Sequence, residues 1–237
     1  MKTDFTRRKF MGTAGAAIFA GAATTAAPAQ AATKPQAKTV RIVGICCSPR
    51  KGKTTAASLK VCLEAAGAVN PQIKTDLIEL AGMKIDGSLA AGIPLEQGQQ
   101  DDFPKLVPKL SDPDVAGIII GTPVYFNNMT YLCKAFLDRC ITFRQNNFAL
   151  SNKVAGVLAV GGARNGGQEI TIQSVQACLY GQEMIIVGGA RPSARIGATV
   201  WNSGKNDVTD DEFGMTTARS LGRRVAEVAL KIVAANN

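Results

Sequence analysis

Val40-Arg-Ile-Val-Gly-Ile-Cys-Cys-Ser-Pro-Arg-Lys-Gly-Lys-Thr-Thr55 passes from a β-branched apolar run straight into a loop of hydroxyls and cations. Val40 to Ile45 has the continuous apolar character of a strand buried on both faces of a parallel sheet. Ser48, Arg50, Lys53, Thr54 and Thr55 follow where a helix is expected to begin. Free backbone N–H groups and the helix dipole favour an anion at such a start, so the loop reads as a phosphate seat. Gly52-Lys53-Thr54 imitates the end of a nucleoside-triphosphate loop, but the first glycine of that pattern falls on Cys47. The seat is therefore read for a monophosphate rather than for ATP or GTP. A basic surface turn capped by threonines is the other reading of the same residues.

Two further loops follow the same plan. Val115-Ala-Gly-Ile-Ile-Ile-Gly121 is a second buried-strand pattern, and it breaks into Thr122-Pro-Val-Tyr-Phe-Asn-Asn128. Gly161-Gly-Ala-Arg-Asn-Gly-Gly-Gln-Glu169 follows a predicted strand over Val154 to Val160. Ligands of open α/β sheets bind beyond the carboxyl ends of the strands, which is where all three loops fall. Together, S-P-R-K-G-K-T-T and G-T-P-V-Y-F-N-N-M-T resemble the FMN-binding loops of the flavodoxin-like NADPH-dependent FMN reductases. The resemblance is greatest to the iron–sulfur flavoprotein branch, whose loop after the fourth strand is similar to Gly161–Glu169, and it extends from Val40 to Gly189.

That resemblance implies FMN as cofactor. It places Ser48, Arg50, Lys53, Thr54 and Thr55 on the flavin phosphate, and Pro123, Val124, Tyr125, Phe126 and Asn127 along the isoalloxazine. Gly161, Gly162, Gly166 and Gly167 then let backbone approach the ring edge, as glycine permits. Arg164 and Gln168 are read either as donors to the ring carbonyls or as ordinary surface-loop residues. Taken alone, Tyr125 and Phe126 also suit packing on a helix, and Gly161 to Gly167 a flexible turn.

One departure from the branch concerns cysteine. Its members carry a compact cysteine cluster between the second and third strands, whereas Ala81 to Leu110 contains no cysteine here. No cluster and no metal site are expected. Cys46, Cys47, Cys62, Cys133, Cys140 and Cys178 fall on predicted strands and helices without CxxC spacing, as small apolar core residues do. The Cys46-Cys47 pair borders cationic residues, which also allows a lowered pKa and a reactive thiol.

At the start of the chain, Thr6-Arg-Arg-Lys-Phe-Met11 precedes a weakly apolar Gly/Ala run, and Ala29-Gln-Ala31 supplies small residues for cleavage. The paired Arg7-Arg8 before Phe10 resembles a twin-arginine signal. Residues 1–31 are read as that signal, 32–38 as a tether and 39–237 as the domain. The run is too short and dilute for the ~20 strongly apolar residues of a membrane span. A folded, cofactor-loaded protein passed by the twin-arginine translocase to the periplasm is the expectation. Removing residues 1–31 takes away four cations and one acid, so the net charge falls from +9 to +6. No arginine-rich tract with interleaved aromatics occurs, so nucleic-acid binding is not expected.

The remaining elements complete an α/β pattern. Strands are predicted at Asp76–Leu80 and Met184–Val187, with helices at Thr55–Ala66, Thr130–Cys140, Glu169–Tyr180 and Phe213–Ala235. With the resemblance, this predicts a flavodoxin-like doubly wound sheet of five parallel strands, order 2-1-3-4-5, with helices on both faces. Asp86–Asp101 reads as a long insertion that covers the flavin or forms an oligomer contact. A homo-oligomer, dimer or tetramer, is expected. Asp210–Glu212 reads as the cap and first turn of the last helix.

The chain has no histidine, which removes Ser-His-Asp hydrolysis and histidine-ligated zinc from the candidate chemistries. What remains is cofactor chemistry, with no catalytic side chain required. An FMN-dependent oxidoreductase delivering electrons to a quinone, metal or small organic acceptor is expected, with a flavodoxin-like electron carrier as the alternative. Its cellular donor is expected to be something other than NAD(P)H, because an exported protein does not meet that pool.

Overall fold

β-Branched residues without a polar break build the centre of the sheet. The computed structural model describes residues 39–192 and 194–235; the expected signal and tether lie outside them. β1 (Val40–Cys46), α1 (Thr54–Gly67), β2 (Ile73–Glu79), α2 (Val107–Ser111) and β3 (Val115–Pro123) come first. They are followed by α3 (Tyr131–Arg139), α4 (Ile141–Gln145), β4 (Val154–Gly161), α5 (Gln168–Tyr180), β5 (Ile185–Ile186), β6 (Ala198–Trp201) and α6 (Glu212–Ala235). All strand pairs are parallel, in the order β2-β1-β3-β4-β5.

The order is the expected one, but the fifth strand is split. β5 pairs Val154 and Ala155 at the start of β4, and β6 takes over the same edge from Leu158 to Gly161. Between them the chain leaves the sheet and pinches shut. Gly189 N–H donates to Arg195 O (2.7 Å), and a side chain on Gly188 would collide with that same carbonyl. The sheet therefore has six strands rather than five.

Two apolar cores lie on either side. On one face Leu59 and Cys62 of α1 and Leu221, Val225 and Ala226 of α6 pack on Ile42, Ile119 and Leu158. The two helices touch closely enough that a side chain at Gly222 would run into Cys62 O. On the other face Phe103, Phe136, Phe143, Ile172 and Val175 pack on Val43, Ile45, Ile118 and Ile120. The helix expected over Thr130–Cys140 is α3 with Thr130 as its cap, and it re-aims at Cys140 into α4.

The insertion Asp86–Asp101 contributes a short 3₁₀ turn at Gly87–Ala91 and is clamped at its base. Arg139 pairs with Asp101 (2.6 Å) with both side chains nearly buried, donates to Asp86 O (3.1 Å) and lies over Phe103. Among the described residues no helix is long and apolar enough to cross a membrane.

Candidate functional site

Adjacent parallel strands β1, β3 and β4 deliver three loops to one end of the sheet. In the first, Ser48 is buried and its hydroxyl closes the turn, accepting from Arg50 N–H (3.1 Å) and donating to Arg50 O (3.2 Å). These two bonds let Ser48 shape the turn. Gly52 sits at φ 66°, the left-handed region that glycine fills without strain. Lys53 caps α1 with no side-chain bond, and the first turn carries no acid.

The consequence is a positive helix end with free N–H groups on buried residues. The first backbone bond at the start of α1 is Ala57 N–H to Lys53 O, so the N–H groups of Thr54, Thr55 and Ala56 have no acceptor among the described residues. Arg50 and Lys53 stand exposed beside them, Arg50 reaching Asn206 Oδ1 (2.6 Å). A carboxylate also reaches this loop: Glu79, at the end of β2, accepts from Gly52 N–H (2.7 Å).

The second loop is a tight turn held by two bonds, Tyr125 N–H to Asn128 O (2.8 Å) and the reverse (3.0 Å). Its centre, Phe126 and Asn127, has φ of 50° and 60°. Asparagine tolerates that region, whereas a phenylalanine there costs about 1–3 kcal/mol. Tyr125 is 45% exposed and Phe126 wholly so, so neither packs on a helix. Pro123 is buried, and Val124 continues the sheet by donating to Val160 O (2.9 Å). Thr130 ties this loop to the first, donating to Cys47 O (2.8 Å) while it accepts from Cys133 N–H (3.2 Å) to cap α3.

The third loop is filled from within. Gln168 is fully buried; its amide donates to Ala163 O (2.7 Å) and Val200 O (3.3 Å) and accepts from Gly166 N–H (2.9 Å). Both amide protons are spent, which corrects the reading of Gln168 as a donor to a ring carbonyl. A side chain on Gly161 would strike Gln168, and one on Gly166 would lie 2.8 Å from Ala163 O. Gly167, at φ 90°, rests against Asn127 of the second loop, where a Cβ would collide. Gly162 alone faces open space.

Arg164 is committed elsewhere. It pairs with Asp211, which is buried and also accepts from Trp201 N–H (2.6 Å) and Gly214 N–H (2.8 Å). The guanidinium lies over Trp201 and Phe213, at 5.5 and 5.7 Å from the ring centres. Any donation from Arg164 to a flavin carbonyl competes with this ion pair.

The reactive-thiol reading of Cys46-Cys47 is also corrected. Both are buried, and burial pushes the Cys46 thiol up to about 11 and Cys47 well above its ordinary value. Neither is a nucleophile near neutral pH. Among the described residues no group of three or more His, Cys, Asp or Glu is arranged to hold a metal ion.

An uncapped helix start, an exposed aromatic turn and an open glycine face at one sheet end fit a ligand with a phosphate and a planar ring. Residues 40–197 match the NADPH-dependent FMN reductase family. The chain belongs to that family. Its cofactor is accordingly FMN and its chemistry that of an oxidoreductase. Within reach of the family, an iron-sulfur flavoprotein of Methanocaldococcus jannaschii is 37% identical over 194 residues, covering 80% of this chain and 97% of that one. An iron-sulfur flavoprotein of Methanosarcina thermophila is 34% identical, covering 80% and 95%. The solved structure of RosB with bound 8-demethyl-8-formylriboflavin-5'-phosphate shares the fold at a TM-score of 0.65 and 15% identity, covering 84% and 82%.

Four residues around these loops have distant partners that the sequence does not announce. Glu79, Thr130, Trp201 and Asp211 each act through partners 10 to 83 positions away. Asp211 and Thr130 also carry a local signal, as the caps of α6 and α3.

Proposed function

We propose that this family member works outside the cytoplasm, passing electrons through non-covalent FMN to a quinone, metal or small organic acceptor, without an iron–sulfur cluster. The observation that carries the flavin part is the unpaired start of α1, flanked by Arg50 and Lys53. Bound FMN supplies hydride or single-electron transfer. The N–H groups of Thr54, Thr55 and Ala56 and the guanidinium of Arg50 hold its phosphate, with Ser48 and Gly52 setting the loop's curvature. Tyr125, Phe126 and Asn127 offer the ring a surface, and Gly162 leaves room beside it.

Two sequence facts support the remainder. The family match begins at Val40, leaving Arg7-Arg8, Phe10 and Ala29-Gln-Ala31 outside it. Ala81 to Leu110 offers no thiolate for a cluster. The donor is proposed to be other than NAD(P)H, since that pool is cytoplasmic. An electron-carrier role is the second reading, favoured by Phe126, which presents its whole ring to a docking protein.

The test is an absorption spectrum of the mature protein followed by anaerobic NADPH. A flavin spectrum without iron, reduced slowly by NADPH and readily by dithionite, is expected. Fast saturable reduction at micromolar NADPH would instead indicate the ordinary reductase cycle. Replacing Arg7-Arg8 by Lys-Lys is expected to trap the precursor in the cytoplasm; undiminished export would rule out the twin-arginine route.

A further inference from the structure

A groove of about 870 Å³, sharing no residue with the three loops, opens where the chain leaves β5 and folds back against the middle of α6. Gly189 and Ala190 form its small-residue wall, anchored by Ala190 N–H to Ser220 O (3.2 Å). Arg191, Arg223 and Arg224 line it, and the single acid is Glu227. Arg223 touches only a backbone oxygen, Arg191 O at 3.4 Å, and neither Arg191 nor Arg223 has a carboxylate partner among the described residues. Arg224 meets Glu227 at 3.8 Å with both side chains more than 40% exposed, a pairing of little strength.

Three guanidinium groups against one weakly held carboxylate are an excess of positive charge gathered in a concavity. Guanidinium forks match phosphate oxygens two at a time, and several of them lining one groove favour a ligand with more than one phosphate. A concave wall also suits a small ligand better than the flat rim of a protein. We infer that this groove is a second anion site, taking a ligand with linked phosphates independently of the flavin. Free polyphosphate and the diphosphate bridge of a dinucleotide share that chemistry.

Calorimetric titration of the FMN-saturated protein with inorganic pyrophosphate, at fixed ionic strength, tests it. Saturable binding tighter than about 1 mM is expected. The Arg191→Ala/Arg223→Ala pair should weaken it about ten- to a hundredfold or more, with FMN content and melting temperature unchanged. The corresponding Lys pair should recover part of the loss. Oxidised NAD binding as well as pyrophosphate would identify a dinucleotide as the ligand, and pyrophosphate binding alone a free polyphosphate; both support the site. No saturable binding would overturn it. So would binding that survives the double substitution but vanishes in Arg50→Ala, which places the anion in the first loop. Capture of poly-glutamate with no pyrophosphate binding would overturn it in favour of an acidic protein.

Discussion

The loop after β1 and the loop after β4 stand at the same end of the sheet, yet they spend their hydrogen bonds in opposite ways. Thr54, Thr55 and Ala56 leave their N–H groups without acceptors among the described residues, and the first turn of their helix has neither a side-chain cap bond nor an acid. Gln168 pairs everything within its reach, and Asp211 removes Arg164 as well. Thr54, Thr55 and Ala56 are themselves buried, and unpaired donors at a helix start are costly unless water or an anion reaches them. Donors closed on themselves give shape instead. The first loop leaves its donors open whereas the third spends them within, and substitutions in the two should fail differently.

The largest expected effect is on folding. Gln168→Ala strips three internal hydrogen bonds at about 1 kcal/mol each, so chemical denaturation should show a loss of roughly 3 kcal/mol. An unchanged midpoint would mean that the third loop is not held from within. Next, iodoacetamide at pH 8 should modify Cys46 about a hundredfold more slowly than an ordinary thiol, since burial raises it from 9.0 to about 11. The partly exposed Cys178 should be labelled first. Rapid labelling of Cys46 would restore a reactive thiol to the edge of the first loop.

In the first loop the loss should appear in binding and not in folding. Arg50→Ala is expected to weaken FMN by about one to two orders of magnitude, the worth of a charge-assisted hydrogen bond, while riboflavin affinity holds. Stability should stay within about 0.5 kcal/mol, as for other exposed positions. Equal losses for FMN and riboflavin would show that Arg50 does not read the phosphate. The smallest effect belongs to the turn between the two loops. Phe126→Asn should raise stability by about 0.5–1 kcal/mol, because asparagine accepts the positive φ that phenylalanine resists. A loss of stability would show that the Phe126 ring is held by contacts rather than displayed.

Sequence was most informative where the signal is local. Val40–Ile45 and Val115–Gly121 end abruptly at polar loops, and that contrast alone locates the site end of the sheet. The order of the sheet came with the family resemblance. The split of the fifth strand was not legible, because Met184–Val187 has a strand's composition and the pinch depends on Gly188 meeting Arg195 seven residues later. Nor was the strain at Phe126, since nothing in a phenylalanine announces a left-handed backbone. The ion pair of Arg164 was not legible because Asp211 arrives from 47 positions away, and for Gln168 the distant partner is Val200, 32 positions on, beside the local Ala163 and Gly166.

Parallel titrations of the flavin-free protein with FMN and with riboflavin test most directly whether the first loop is a phosphate seat. FMN should bind at least about a hundredfold more tightly, as expected for a phosphate meeting several donors and a cation. Equal affinity for the two would contradict the assignment.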